Sequence, residues 1–462
     1  MNAPLLWIIL PLVAAVLLWL IRANRFLVVF TATLVCLLLS LAAWLFPIGG
    51  IVRLGPLVTE ISPAIFLFGR RFVLQDTDRL LLVYLYLFGA FWFFGEGILR
   101  KNPLFVPIGL ATLSLSIAAL AVEPFLYAAL IIEMIVLLSI PVLVTPGTRV
   151  GQGVLRFLIF QTLAMVFILF AGWAAGGVEA DPTNESLLVQ TLVFFGLGFA
   201  FWLAVFPFYT WIPLLVSETR PYQAFFLVNF LQQVVLLLLL DYLNAFSWLR
   251  QFSMLPDLFK LLGVIMIASG GLWAAFQRNL NRLFGYAVIV EIGFSLLAIG
   301  LRTRVGYELY VAMFLPRMIV LALGSMALST LNSPSFDFTD IGGLLRKKPV
   351  SGVAILMALF SFSGLPLLAN FPLRQVLLEN LAQQSPIGVY WAIAGVGGLL
   401  LASIRVLLVF SSSDEQGWQW SEDWRPVTLL VIGILAVVLW GTIPALFPGM
   451  QGMLGAFTNL TY

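Results

Sequence analysis

The chain has 462 residues, of which 62% are hydrophobic and 10% charged, with a mean hydropathy of +1.07. Soluble domains carry roughly 25% charged residues, so this composition excludes a water-facing globular surface. The net charge of +3 is too weak to imply a nucleic-acid partner, and a single cysteine with no histidine excludes an intrachain disulfide, a multi-cysteine metal site and imidazole metal ligation or proton shuttling.

The first apolar run, Leu5 to Ile21, is followed by Arg22 and Arg25. A secretory signal would carry its basic residues first, so this run reads as a retained membrane helix. Runs of about 20 apolar residues span a bilayer, and they recur to the end of the chain with no long polar stretch between them. The expectation is an all-α integral membrane protein of about fourteen spans, forming one membrane domain over residues 1–462. The spans fall near 4–21, 26–47, 79–99, 103–121, 124–144, 153–175, 187–206, 222–244, 257–276, 283–301, 306–330, 350–371, 388–410 and 426–447. The alternating stretch 48–78 predicts a short hairpin outside the membrane.

Arg22/Arg25, Arg100/Lys101, Arg149/Arg156, Arg278/Arg282 and Arg346/Lys347/Lys348 fall at one end of these spans, while Glu123, Glu179, Asp181 and Glu185 fall at the other. The positive-inside rule makes the first end cytoplasmic and both termini external. Arg302 and Arg304, with Arg70 and Arg71, depart from this pattern.

Two segments interrupt the helical pattern. Residues 201–221 contain Pro207, Pro213 and Pro221, and residues 361–375 contain Gly364, Pro366 and Pro372. Proline removes a backbone donor, and freed backbone at membrane depth persists only inside protein or beside a wet cavity. Glu133 precedes the first break by 74 residues (133 to 207), and Glu291 the second by 75 (291 to 366). Each half therefore places a membrane acid two helices before a broken helix. This predicts two inverted five-helix repeats, 103–244 and 257–410, an arrangement known from transporters.

Ionisable groups inside spans are expensive and usually functional. Glu133 and Glu291 are the candidate proton relays, because a buried carboxylate takes or releases a proton when a charged neighbour moves. Arg317 and Arg374 are the candidate charge partners, since arginine remains protonated. Gln161, Thr162, Asn229, Gln232 and Gln233 are candidates to hold water; helix-to-helix hydrogen bonding is the alternative for them. No cofactor-binding motif, nucleophile triad or metal cluster is present in the sequence, so a stand-alone enzyme is not expected.

The motifs resemble those of the antiporter-like subunits of complex I and Mrp-type antiporters. PFYTWIP (207–213) is similar to that family's PFHTWLP, residues 278–301 to its LKRLLAYSSVAHMGY segment, and SFSGLPLLANFPLRQ to its SLAGIPPLAGFFGKF. Glu133 matches the family's fifth-helix glutamate. The resemblance covers roughly residues 80–410, in order. It implies a proton-translocating subunit of a complex I-like NADH:quinone oxidoreductase, with other membrane-arm subunits as partners, lipid around it, redox chemistry elsewhere, and a bacterial plasma membrane as its location. The alternatives are a subunit of a cation/proton antiporter, membrane-bound hydrogenase or carbon-uptake complex, moving H⁺ or Na⁺, or a structural paralogue that no longer pumps. In this resemblance the family's lysine positions are Trp202, a site near Gln232 or Gln233, one beside Arg317, and Arg374; its two histidine positions are Tyr209 and Glu291.

Overall fold

The computed structural model describes residues 2–54, 57–144, 147, 149–181, 184–331, 333, 335–412, 419–444 and 454–461. The end of the fourteenth predicted span, 445–447, lies outside the described residues. The described chain is almost wholly helical. Eleven helical segments are long and apolar enough to cross a membrane, and three shorter apolar ones accompany them: Leu5–Leu20, Phe105–Ala121 and Pro349–Phe362.

In chain order the main helices of the first half are α1 (Leu10–Leu20), α2 (Arg25–Leu45), α3 (Arg79–Leu99), α4 (Phe105–Ala121), α5 (Ala128–Leu143), α6 (Gln152–Ala180), α7 (Glu185–Trp202), α8 (Trp211–Glu218) and α9 (Pro221–Ala245). The short α10 (Ser247–Gln251) leads into α11 (Leu255–Phe276), α12 (Leu280–Gly300), α13 (Arg304–Thr330) and α14 (Leu344–Lys347). The chain continues through α15 (Pro349–Phe362), α16 (Phe371–Gln384), α17 (Pro386–Ser411), α18 (Trp424–Thr442) and α19 (Thr458–Thr461).

The stretch between α2 and α3 holds two antiparallel hairpins where the sequence predicts one. β1 (Ile51–Leu54) pairs with β2 (Leu57–Glu60), and β3 (Ala64–Leu67) pairs with β4 (Arg70–Val73). β4 also takes up β5 (Val122–Glu123), placing Arg71 opposite Glu123 in register, with an ion pair of 3.4 Å. This pair explains why Arg70 and Arg71 break the charge pattern: they belong to a sheet outside the helices. Tyr127 presents its ring to the Arg70 guanidinium at 3.8 Å.

Both interrupted helices are broken, and both breaks are closed in the same way. α7 ends with Leu203 N–H donating to Phe199, Ala204 to Phe201 and Val205 to Ala200. α15 ends with Ser363 donating to Leu359, Gly364 to Ser361 and Leu365 to Phe360. In each the second residue after the helix is left-handed, Ala204 at φ 52° and Gly364 at φ 68°, a helix-ending geometry that satisfies the last carbonyls. The second limbs, α8 and α16, resume at Trp211 and Phe371. Pro207 and Pro366 lie within the breaks. Pro213 does not: it sits in the first turn of α8, where a missing N–H costs little. The sequence reading ends the twelfth span at residue 371, whereas α16 carries that broken helix on to Gln384.

α9 is buried over residues 221–240, and α12 and α13 are nearly as buried. α11 packs between α12 and α17, and there the backbones meet through glycine. A Cβ added at Gly395 would lie 2.1 Å from the Ile267 carbonyl oxygen, and one at Gly271 1.8 Å from that of Gly395. Small residues permit such close approach between membrane helices. Neighbouring Gly397 faces open space. Gly395→Val is therefore expected to lower stability by about 3 kcal/mol, read as a lower melting temperature in detergent, with Gly397→Val close to wild type; equal melting temperatures would refute the close crossing.

Candidate functional site

Glu291 lies at the middle of α12 and is 2% exposed. Apolar helices enclose it, and an unpaired carboxylate there would carry a large desolvation penalty. Two arginines meet it. Arg317, from α13 one residue after the in-helix Pro316, donates through Nε to Glu291 Oε2 at 3.3 Å, and through its terminal nitrogen to the Glu291 carbonyl at 2.8 Å. The same nitrogen reaches Ser295 Oγ at 2.5 Å, one turn further along α12. Arg374, from α16, donates to Glu291 Oε1, which also accepts from Asn370 Nδ2 at 3.2 Å. Both carboxylate oxygens are thus occupied by donors from elements on either side of the α15 break.

The cluster carries one negative and two positive charges. The extra positive charge is placed where the fold offers electron density. Arg374 donates to the carbonyl of Phe362, the last residue of α15, at the negative end of that helix. Its guanidinium also lies 4.5 Å from the centre of the Phe294 ring, a cation–π contact. Gly364 beside it serves the backbone, holding a left-handed φ of 68° at the end of α15; a Cβ there would make only ordinary contact with Arg374 Cδ, at 3.5 Å.

The corresponding place in the first half is built differently. The terminal carbonyl of α7, at Trp202, accepts from Gln232 Nε2 of α9 at 2.8 Å. An uncharged amide therefore does there what Arg374 does in the second half. Rings fill the surroundings: Phe201 stacks with Phe160 at 5.6 Å and meets Phe208 in a tilted contact at 4.4 Å, and Phe199 meets Trp202 edge-on at 5.6 Å.

Glu133 is not part of the central cluster. It is half-buried on α5, accepts a 2.8 Å hydrogen bond from Thr162 of α6, and has no cationic partner among the described residues. Exposed Leu130, Met134, Leu137 and Ile159 surround it on the outer face of the bundle. Gln161, Asn229, Gln232 and Gln233 are all buried, and each has at least one side-chain atom without a hydrogen-bond partner among the described residues. Asn229 points its amide at the Met318 sulfur of α13.

Sequence reasoning did not select Glu96 as a site. It is 3% exposed at the end of α3, where its carboxylate accepts from Asn102 N–H at 2.6 Å and from Gln223 Nε2 of α9 at 2.8 Å. The available signal was an acid four residues before Arg100 and Lys101 with no acid beside it, which looks like an interfacial charge. Its burial comes from α9, far away in sequence.

A bundle of membrane helices with two discontinuous helices and ionised side chains at a break is the construction of a membrane transport protein. The comparisons agree with this. The family model for the NADH:quinone oxidoreductase/Mrp antiporter transmembrane region matches residues 160–402, and the chain belongs to that family. Subunit 14 of the NADH-quinone oxidoreductase of Thermus thermophilus is 26% identical over 322 residues, covering 67% of this chain and 71% of that one. A chain of respiratory complex I from Thermus thermophilus superposes with a TM-score of 0.77 at 21% identity, covering 99% of both chains. One from the Mrp complex of Dietzia gives 0.81 at 14% identity, covering 99% of this chain and 97% of that one.

The geometry sets an order of stability among neutralised variants. Glu291→Gln leaves two buried guanidiniums facing each other and is expected to cost about 3–5 kcal/mol. Arg374→Gln leaves a neutral Glu291–Arg317 pair and costs less. Glu133→Gln costs under about 1 kcal/mol, since its group is half-buried and unpaired. Thermal unfolding of the purified variants checks the order; Glu291→Gln as stable as Glu133→Gln would refute the buried ionic cluster.

Proposed function

We propose that the chain is a proton-translocating, antiporter-like subunit in the membrane arm of a complex I-like NADH:quinone oxidoreductase, with electron transfer carried by other subunits. The observation that carries this reading is Glu291, held between Arg317 and Arg374 across a broken helix. Each arginine stays charged. Arg374 rides on α16, a limb separated from α15 by the break. A displacement of α16 that withdraws Arg374 would leave Glu291 with one cationic partner instead of two and allow it to take a proton, and return of the limb would expel that proton. Arginine carries no proton in this cycle; it acts as the movable charge.

The repeat arrangement belongs to the same proposal. The matching hydrogen bonds at the ends of α7 and α15, and the matching restarts at Trp211 and Phe371, support residues 103–244 and 257–410 as inverted repeats. Glu133 supports a contact with a neighbouring subunit, because a carboxylate on a lipid-facing surface at mid-span would be costly and a docked protein would cover it. By the positive-inside rule the end bearing Arg100, Lys101, Arg346 and Lys348 faces the cytoplasm, with both termini outside. A cation/proton antiporter subunit is the second reading, favoured by the likeness of fold to the Mrp chain.

Purification through a tag on this chain is expected to recover redox subunits bearing iron–sulfur centres; recovery with small membrane subunits alone would favour the antiporter. In the assembled complex, Glu291→Asp, which keeps the charge but shortens its reach, is expected to lower protons pumped per electron while electron transfer continues. Glu133→Gln is expected to do the same without loss of stability. Unchanged pumping in both variants would overturn the proposal.

A further inference from the structure

At the basic end of the bundle a cleft of about 450 Å³ opens between α2, α3 and the start of α4. Its volume lies in the roughly 300–1,000 Å³ range of small-molecule sites. Phe26, Val28 and Val29 of α2, Phe94 and Ile98 of α3, and Val106 of α4 line it. α2 and α3 come close here because Gly97 has no side chain: a Cβ at Gly97 would lie 2.7 Å from Val29 Cγ1. Phe26 and Phe30 stack with ring centres 6.1 Å apart and are 79% and 58% exposed, and Phe94 is exposed as well. Trp19, at the end of α1, is exposed and carries the Arg22 guanidinium 4.8 Å from its ring. Such a residue marks the headgroup level of a bilayer.

The charged part of the lining is one-sided. Arg25, the first residue of α2, and Arg100, which ends α3, both line the cleft and are exposed. Each commits one nitrogen to the last carbonyls of α3. Arg25 Nη1 donates to the Arg100 carbonyl at 3.3 Å, and Arg100 Nε donates to that of Gly97 at 3.4 Å. Their remaining nitrogens have no partner among the described residues. Glu96 also lines the cleft, but its oxygens are taken by Asn102 N–H at 2.6 Å and Gln223 Nε2 at 2.8 Å.

Two guanidiniums without an acid thus stand over an apolar floor. A soluble anion would match the guanidiniums and not the floor, and a neutral apolar molecule the reverse. A phospholipid with an anionic headgroup matches both, because arginine forks suit phosphate and acyl chains suit the valine and phenylalanine surface. Basic pockets between membrane helices on the cytoplasmic side bind such headgroups, and the positive-inside rule places this end there.

We propose that the cleft is a binding site for an anionic phospholipid, its phosphate held by Arg25 and Arg100 and the upper part of its chains lying against Phe26, Val29 and Phe94. The bound lipid ties the start of α2 to the end of α3. The inference does not depend on what the chain translocates.

Binding is measured on the delipidated full chain in detergent by native mass spectrometry, with phosphatidylglycerol and phosphatidylcholine of identical chains as probes. Each basic residue beside an anionic headgroup contributes about a factor of five. Phosphatidylglycerol is therefore expected to bind roughly tenfold more tightly, and Arg25→Gln/Arg100→Gln to lower that preference to about twofold or less. Arg278→Gln/Arg282→Gln removes the same charge from the same end, outside the cleft, and is expected to keep the preference. A wild type without preference, a cleft variant that retains it, or a control variant that loses it equally would each overturn the site. Glycerol 3-phosphate is expected to leave the lipid bound; displacement by it would overturn the lipid assignment in favour of a soluble phosphate compound.

A second measurement needs no variant. In native membranes, phosphatidylglycerol with a photoreactive diazirine in one chain is expected to attach to the segments around Val29 and Phe94, read by peptide mass spectrometry. Adducts confined to other helices would overturn the proposal, as when a neighbouring subunit fills the cleft.

Discussion

A carboxylate placed between two guanidiniums, deep in an apolar bundle, is the constraint around which the second half of this protein is organised. Each of the three ions loses water at a cost of several kcal/mol. The cluster persists because both carboxylate oxygens and two nitrogens of each guanidinium have partners. Glu291 receives donors on both oxygens, Arg317 is held by Ser295 and the Glu291 carbonyl, and Arg374 sits at the negative end of α15 and against Phe294. The break between α15 and α16 supplies the exposed carbonyl end that takes up the surplus positive charge. α12, where Glu291 resides, meets α11 through a second glycine pair: a Cβ added at Gly263 would lie 2.7 Å from the Gly293 carbonyl oxygen.

The first half shares the architecture without the charges. Its broken helix ends with the same three hydrogen bonds, but an amide satisfies the Trp202 carbonyl and aromatic rings fill the space around the break. Among the described residues the charged side chain bonded into this break, Arg156 to Thr210 Oγ1 at 3.3 Å, is an exposed one. The two halves thus differ in what they hold: the second a buried ionic cluster, the first the half-buried Glu133 at an outer face. α9, polar along a buried length, stands between them.

Much of this was legible in the sequence because lipid enforces simple rules. Long apolar runs become helices, and proline clusters at membrane depth mark breaks. Glu291, Arg317 and Arg374 stand out as charges within such runs, and the structure brings these three together. What the sequence hid depends on contacts between distant segments. α16 carries Arg374, Gln375, Glu379 and Asn380 and reads as a connection, since six of its fourteen residues are polar. Glu96 reads as an interfacial charge until α9 buries it. Glu133 and Glu291 look equivalent by spacing, yet one faces outward and the other lies at the centre, because helix rotation within the bundle is set by packing. The pair of hairpins was read as one because each strand is only four residues long.

The proposed cycle requires Glu291 to change protonation when the limb bearing Arg374 moves. Turnover-induced infrared difference spectroscopy on the assembled complex reads that change. A carboxyl C=O band that appears during turnover in the wild type and shifts in Glu291→Asp is the predicted result. A carboxyl spectrum identical in wild type and Glu291→Asp, with both complexes turning over, would contradict the account.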